Sequence, residues 1–154
     1  MIVVGVDPGK EGAIACISEN GAEAEPMPLI GKEIDGRYFV NWLRDRDPDL
    51  VIVEKVGAMP GNGGVSMFTF GKGYGLILGV LEAGGYAYRL ATPQSWKKVV
   101  LSGTSRDKTA AIEHVHRRYP EVNLTPGKKR IPHDGMADAV CIAEYALAGR
   151  EVTL

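Results

Sequence analysis

Short runs of apolar, mostly β-branched residues recur along the chain and predict β-strands. They occupy residues 2–6, 12–17, 22–27, 50–53 and 86–91. Only turn sequences separate the first three runs, and the Asn-Gly pair at residues 20–21 favours a tight antiparallel hairpin. The run at 50–53 is apolar at every position, as is typical of a strand buried on both faces of a sheet. We therefore expect an α/β fold with a five-stranded mixed sheet.

Helical spacing of apolar residues and helix caps predict the elements that flank this sheet. Residues 35–46 form an amphipathic pattern with a period near 3.6 residues. Further helices are expected at 76–83, at 93–98 after an N-cap at Thr92, at 105–119 with Ser105 as the N-cap, and at 134–148 before Gly149. Residues 57–75 contain seven glycines and are expected to form a mobile loop. We expect residues 123–132 to form a basic loop.

Length and composition limit the class of protein. A chain of 154 residues fits one domain, 1–154, which can bury roughly 70% of its unfolded surface. No stretch approaches the roughly 20 apolar residues that span a bilayer, and no basic leader precedes the first apolar run, so we expect no membrane contact. Cys16 and Cys141 have no cysteine or histidine partner at metal spacing. We interpret them as reduced core thiols of a cytoplasmic protein.

The net charge of −1 conceals an uneven distribution along the sequence. Residues 89–130 carry ten Lys and Arg against three Asp and Glu, whereas residues 1–88 and 131–154 are both acidic. A local positive excess of this size is typical of a surface that binds a polyanion. The alternative is a set of solvated helix faces.

Four acidic residues stand where the predicted elements end or begin. Asp7 follows the first strand in VVGVDPGKEGAIACI, and Glu54 follows the strand at 50–53. Asp134 and Asp138 are four residues apart, on one face at the start of the last helix. If that helix packs across the strand ends, the four carboxylates converge. Such oxygen-rich sites suit Mg²⁺ or Mn²⁺, and two ions about 4 Å apart are a common device for phosphodiester cleavage. Alternatively, Asp7 bonds its own turn and Asp134 stabilises the helix dipole.

Four motifs occur in an order that resembles one known family. VGVDPGKEGAIA, VIVEKV, PQSWKKVVLSG followed by DK, and DGMADA together cover almost the whole chain. In this order and spacing they resemble the RuvC-type Holliday-junction resolvases, nucleases of the RNase H-like fold. The resemblance implies a homodimeric, divalent-metal-dependent endonuclease that resolves four-way DNA junctions by paired symmetric nicks in recombination and repair. It assigns metal ligands to Asp7, Glu54 and Asp138, with a fourth ligand just upstream.

The sequence departs from the common family pattern at two places. Many relatives have the fourth ligand three residues before the last aspartate, where this chain has Gly135. We assign that ligand to Asp134, and keep His133 as an alternative ligand or proton-transfer group that could instead only cap the helix. An aromatic residue that stacks on junction bases is often found where this chain has Gly57. Met59, Phe68 or Phe70 could replace it, although a core role for the phenylalanines is an equal alternative.

The resemblance also assigns the basic residues. Lys98 and Lys108 match lysines near the scissile phosphate, and Lys97 could substitute for the first. We expect DNA contacts from the basic segment and its loop, at Lys97, Lys98, Arg106, Lys108, Lys128, Lys129 and Arg130.

Three rival functions remain open from the sequence. A less selective nuclease of the same fold would cut branched DNA in general. A non-catalytic module that binds DNA structures would use the basic segment but would have no need of the carboxylates. The phosphate-binding half of a sugar kinase or actin-like ATPase also begins with a Gly-x-Asp-x-Gly hairpin, but such proteins need two domains to enclose a nucleotide.

Overall fold

A computed structural model describes residues 1–58, 60–105 and 107–148. Its elements, in chain order, are β1 (Val3–Asp7), β2 (Ala13–Ser18), β3 (Gly21–Pro26), β4 (Leu29–Ile30), β5 (Glu33–Ile34), α1 (Gly36–Arg46), β6 (Leu50–Glu54), α2 (Gly64–Gly84), β7 (Tyr88–Ala91), α3 (Pro93–Val100), α4 (Ala110–Arg118) and α5 (Asp134–Ala148).

A five-stranded sheet in the order β3-β2-β1-β6-β7 forms the centre of the molecule. β1, β2 and β3 are antiparallel neighbours, while β6 pairs with β1 and β7 in parallel. The sheet is therefore mixed, and the predicted fold class is confirmed. The short strands β4 and β5 pair only with each other, in a separate hairpin that the sequence patterns did not predict.

Helices cover both faces of the sheet. The alternating side chains of β1 divide between two cores: Val3 packs on the side of α3, α4 and α5, whereas Val4 and Val6 pack on the side of α1 and α2. Gly5 permits the closest of these approaches, because a Cβ atom at this position would lie 2.1 Å from the carbonyl oxygen of Ala139. The backbone of α5 thus lies directly on β1.

Local signals set several element boundaries as predicted. Asp35 caps α1 by accepting a hydrogen bond from the backbone N–H of Tyr38 at 3.0 Å, and Thr92 caps α3 by accepting one from Ser95 at 3.2 Å. Both cysteines are buried and unpaired, as expected. The predicted stop at Gly149 lies outside the described residues.

Three predicted boundaries are wrong. The expected mobile loop at 57–75 is helical from residue 64, because α2 is 21 residues long. Contacts of its first half, at Gly73 with Ile34 and at Phe70 with Gly9, accompany a helix that its glycines alone would disfavour. The helix placed after Ser105 begins at Ala110 instead, because the carboxylate of Asp107 bonds the backbone N–H of Thr109 at 2.8 Å and forms a local turn. β7 also begins two residues later than expected.

α2 is also more apolar than the sequence analysis allowed. By length and composition alone it could cross a membrane, since a stretch of 18 of its residues has a mean hydropathy of 1.3. A single helix of this kind is weak grounds for a membrane span. Only Ile77 and Leu81 of α2 are buried in the monomer, so most of its apolar surface is unpaired with other described elements.

Candidate active site

Two carboxylates lie side by side at one edge of the sheet. β1 and β6 run parallel, with Val6 opposite Val53, so Asp7 and Glu54 extend from adjacent strand ends. The start of α5 lies against the same edge. A Cβ atom at Gly135 would lie 2.7 Å from the carbonyl oxygen of Glu11, in the turn between β1 and β2. The helix therefore brings Asp134 and Asp138 to the edge that carries Asp7 and Glu54.

The charges of these carboxylates act on one another. Burial, followed by the charges of Glu54 and Asp138, raises the pKa of Asp7 to about 8. Burial and the charge of Asp134 raise the pKa of Asp138 to about 6, and burial with the charge of Asp138 raises that of Glu54. Asp7 is thus within electrostatic reach of Glu54, Asp138 and Asp134. Among the described residues, however, no three His, Cys, Asp or Glu side chains lie at metal-binding spacing.

Lys97 supplies a positive charge to this acidic group. Its ammonium lowers the pKa values of Asp7, Glu54 and Asp138. The Lys97 amine lies 5.1 Å from the ring centroid of the fully buried Trp96, which anchors α3 beneath the site. The indole N–H of Trp96 also lowers the pKa of Glu54. It has no hydrogen-bond partner of good geometry among the described residues, so this effect does not come from a well-formed hydrogen bond. Both Lys97 and Lys98 are exposed, but only Lys97 acts on the carboxylates, so it is the lysine at the site.

The first turn of α5 explains why a ligand is missing at position 135. A side chain there would meet the backbone of the β1–β2 turn, and the His133 ring lies 3.0 Å from the Cβ position. The ring nitrogen Nδ1 of His133 accepts a hydrogen bond from the backbone N–H of Met136 at 3.1 Å, which caps the helix. Burial and the charge of Lys129 lower the pKa of His133. In this neutral form the proton is on Nε2, so neither ring nitrogen has a lone pair free for a metal.

The basic residues proposed for DNA binding are on the surface, and one of them lies at the start of α5. Lys98, Lys108, Lys128 and Arg130 are exposed. Lys129 lines a cavity of about 290 Å³ together with Glu11, His133 and Asp134, so the basic loop reaches the start of α5. Arg106 and Met59 lie outside the described residues.

The two phenylalanines of α2 have different surroundings. Phe68 is 75% exposed, which excludes a core role in the monomer. Phe70 is half-buried, and its ring lies 3.0 Å from the Cβ position of Gly9, whose φ of +109° requires glycine in the turn after Asp7. Phe70 therefore lies close to the acidic site, whereas Phe68 projects from α2.

Sequence reasoning missed a large cleft beside Asp7. It has a volume of about 970 Å³ and runs from the β1–β2 turn between the β4–β5 hairpin and the first half of α2. Phe70, Ile34 and Leu76 contribute apolar walls, and Lys32 stands at the hairpin. The only sequence signal was the Gly-Lys pair at residues 31–32, a turn signal after the short apolar pair Leu29 and Ile30.

Comparisons with known proteins concern the fold. A scan against protein-family models and a search of curated proteins find no match to this chain. Among solved structures, Thermus thermophilus RuvC in complex with a Holliday junction substrate matches with a TM-score of 0.70 and 18% identity, over 99% of this chain and 97% of the other. A yeast mitochondrial Holliday junction resolvase matches with a TM-score of 0.60 and 16% identity, over 97% and 78% of the two chains. Fowlpox virus resolvase, in complex with Holliday junction DNA, matches with a TM-score of 0.57 and 16% identity, over 96% of this chain and 99% of the other. The chain thus has the fold of the RuvC-type resolvases that its motifs resemble.

Proposed function

We propose that this protein is a divalent-metal-dependent endonuclease that resolves four-way DNA junctions. The observation that carries the proposal is the group of mutually repelling carboxylates at the ends of β1 and β6, held beside Lys97 and the start of α5. A fold has no structural need for such a group, since burying carboxylates that repel one another is unfavourable. Likeness to solved resolvases that are bound to Holliday junctions supports the choice of substrate.

The chemistry of the donor set, though not the present spacing of its side chains, suits a hard divalent cation. Asp7, Glu54 and Asp138 would hold it, and Asp134 would complete the site, since all four offer carboxylate oxygens at one edge. The raised pKa values of Asp7 and Asp138 are those expected of ligands whose counter-charge is absent. Mg²⁺ or Mn²⁺, with two ions per site, would polarise the phosphodiester and generate the attacking hydroxide.

The protein's own groups orient the substrate and neutralise its charge. Lys97 would contact the scissile phosphate, because its ammonium already lies within electrostatic reach of three of the carboxylates. Lys108, on the loop before α4, would contact the same phosphate. Lys128, Lys129 and Arg130 would contact phosphates flanking the site, because their loop leads directly into the start of α5. Phe68 and Phe70 provide aromatic faces for bases at the branch.

A homodimer would match the symmetry of the substrate. A four-way junction contains two equivalent strands to cut, so two copies related by a two-fold axis would present one site to each. The exposed face of α2 is the surface proposed for this contact. Gly71, Gly75 and Gly79 recur every four residues, and a Cβ atom at each would meet nothing within 4 Å. A second helix can approach such a row closely. Ile77 and Leu81 of the same helix face the core instead.

A synthetic junction provides the direct test. The protein should nick a four-way junction in Mg²⁺, cut the matching duplex much more slowly, and retain junction binding but lose nicking as Asp7→Asn. Equal cutting of branched and duplex DNA would favour the less selective nuclease. Junction binding without cutting in Mg²⁺ or Mn²⁺ would instead establish the non-catalytic module.

A further inference from the structure

The β4–β5 hairpin leaves the sheet at the edge that carries the acidic site. β3 ends at Pro26, which pairs with Ala13 at the end of the β1–β2 turn. The next residue, Met27, donates a backbone hydrogen bond to the carbonyl of Gly12 at 3.0 Å. The turn between β2 and β3, by contrast, lies at the opposite end of the same strands. The β1–β2 turn is therefore near Asp7, whereas the β2–β3 turn is not.

Contacts with α2 fix the position of the hairpin. Ile34 packs against Gly73, where a Cβ atom would come within 2.9 Å of the isoleucine side chain. Leu76 similarly fills the space beside Gly36, and Glu33 forms an ion pair with Lys72 at 2.6 Å. The ion pair is exposed and contributes little, so close packing at the two glycines sets the geometry. The hairpin is thus a fixed wall of the 970 Å³ cleft.

The tip of the hairpin combines an exposed apolar side chain with a cation. Ile30 is 68% exposed, and Gly31, with a φ of +62°, turns the chain to the exposed Lys32. Among the described residues, Lys32 forms no side-chain hydrogen bond or ion pair, and Ile30 belongs to neither hydrophobic core. Apolar side chains can wedge between base steps, while lysine contacts phosphate. The apolar lining of the cleft fits the faces of unstacked bases better than a phosphate backbone.

We propose that the β4–β5 hairpin is a second DNA-contacting element, in which Ile30 packs on an unstacked base at the branch and Lys32 contacts a neighbouring phosphate. This inference rests on the proposed junction substrate. It assigns recognition of the branch to the cleft side of the active site and contacts with the duplex arms to the basic segment 89–130.

Variants at the tips of the β4–β5 and β2–β3 hairpins test whether the β4–β5 hairpin recognises the branch. Ile30→Ser should weaken junction binding roughly fivefold or more and leave duplex binding nearly unchanged. Lys32→Gln should reduce the slope of log affinity against log salt by about 0.9. Asn20→Asp is the matched control, since it lowers the net charge by the same amount at the exposed β2–β3 turn and should alter neither quantity. Wild-type affinity, salt slope and junction preference in both tip variants would overturn the inference.

The two buried cysteines allow a direct measurement of proximity. Ile30→Cys adds the one exposed thiol to the chain and can carry a photo-crosslinker, with Asn20→Cys as the control. Crosslinks from position 30 to nucleotides at the branch, and none from position 20, are expected. Equal yields at both positions, or none at 30 while the protein binds the junction, would refute the role of the hairpin alone. Failure of the unmodified protein to bind any junction would refute the proposed function as well.

Discussion

The acid group of Asp7 is destabilised by its surroundings when no metal is bound. Its pKa of about 8 in the folded chain compares with 3.8 for an unperturbed aspartate, so the folded state binds the proton more tightly than the unfolded state. Stability therefore falls as the pH rises from about 4 to about 8, because the unfolded chain ionises first. Under the proposed function, the site weakens the fold in return for the ability to bind a cation.

Substituting Asp7→Asn should therefore stabilise the metal-free protein. At pH 8.5 in EDTA we expect its free energy of unfolding to exceed that of the parent by more than about 1 kcal/mol, and the difference to shrink towards pH 4. Urea titrations at both pH values measure this, and Asp45→Asn, at an exposed position on α1, is the control. Added Mg²⁺ should stabilise the parent more than the variant. Equal stability at pH 8.5 would contradict the burial and repulsion assigned to Asp7.

The two candidates for the fourth ligand can be separated by a substitution that preserves a cap. Asparagine is a good N-cap, so His133→Asn should keep α5 capped and retain junction nicking within a few fold. Asp134→Asn should reduce nicking at least tenfold and raise the Mg²⁺ concentration needed for half-maximal rate. Titrating Mg²⁺ with both variants tests the assignment. The reverse pattern, with Asp134→Asn active and His133→Asn inactive, would transfer the role to His133.

At the scale of elements, local signals predicted well where they agreed with tertiary packing. β1, α1, β6, α3 and α5 have strong periodicity or side-chain caps, and the structure confirms them. The first half of α2 was missed because its glycines resemble a loop, whereas its contacts with Ile34 and Gly9 are not visible in the sequence. The β4–β5 hairpin was missed because each strand has only two residues, and its contacts with α2, at Gly73 and Lys72, are tertiary.

The arrangement of acids could be predicted for a different reason. Parallel neighbouring strands end at the same edge of a sheet, and the spacing of Asp134 and Asp138 places both on one helix face, so topology alone brings them together. Which lysine reaches them, and why position 135 is glycine, depend on close approaches of backbone and side chains. Those contacts at Lys97 and Gly135 became apparent only in three dimensions.

At the scale of the whole molecule, the proposed dimer assigns to α2 the pairing of two active sites. Its row of Gly71, Gly75 and Gly79 faces open space in the monomer, so a charge introduced there leaves the core intact and obstructs only a partner. Gly75→Glu should sediment as a monomer at micromolar concentration, where we expect the parent to sediment as a dimer. Asn41→Glu adds the same charge on the exposed face of α1 and should remain dimeric. On a junction, the parent should make two symmetric cuts whose products ligase can seal, while Gly75→Glu should leave singly nicked, unresolved junctions. A monomeric parent that still makes paired cuts would show that pairing does not depend on this helix.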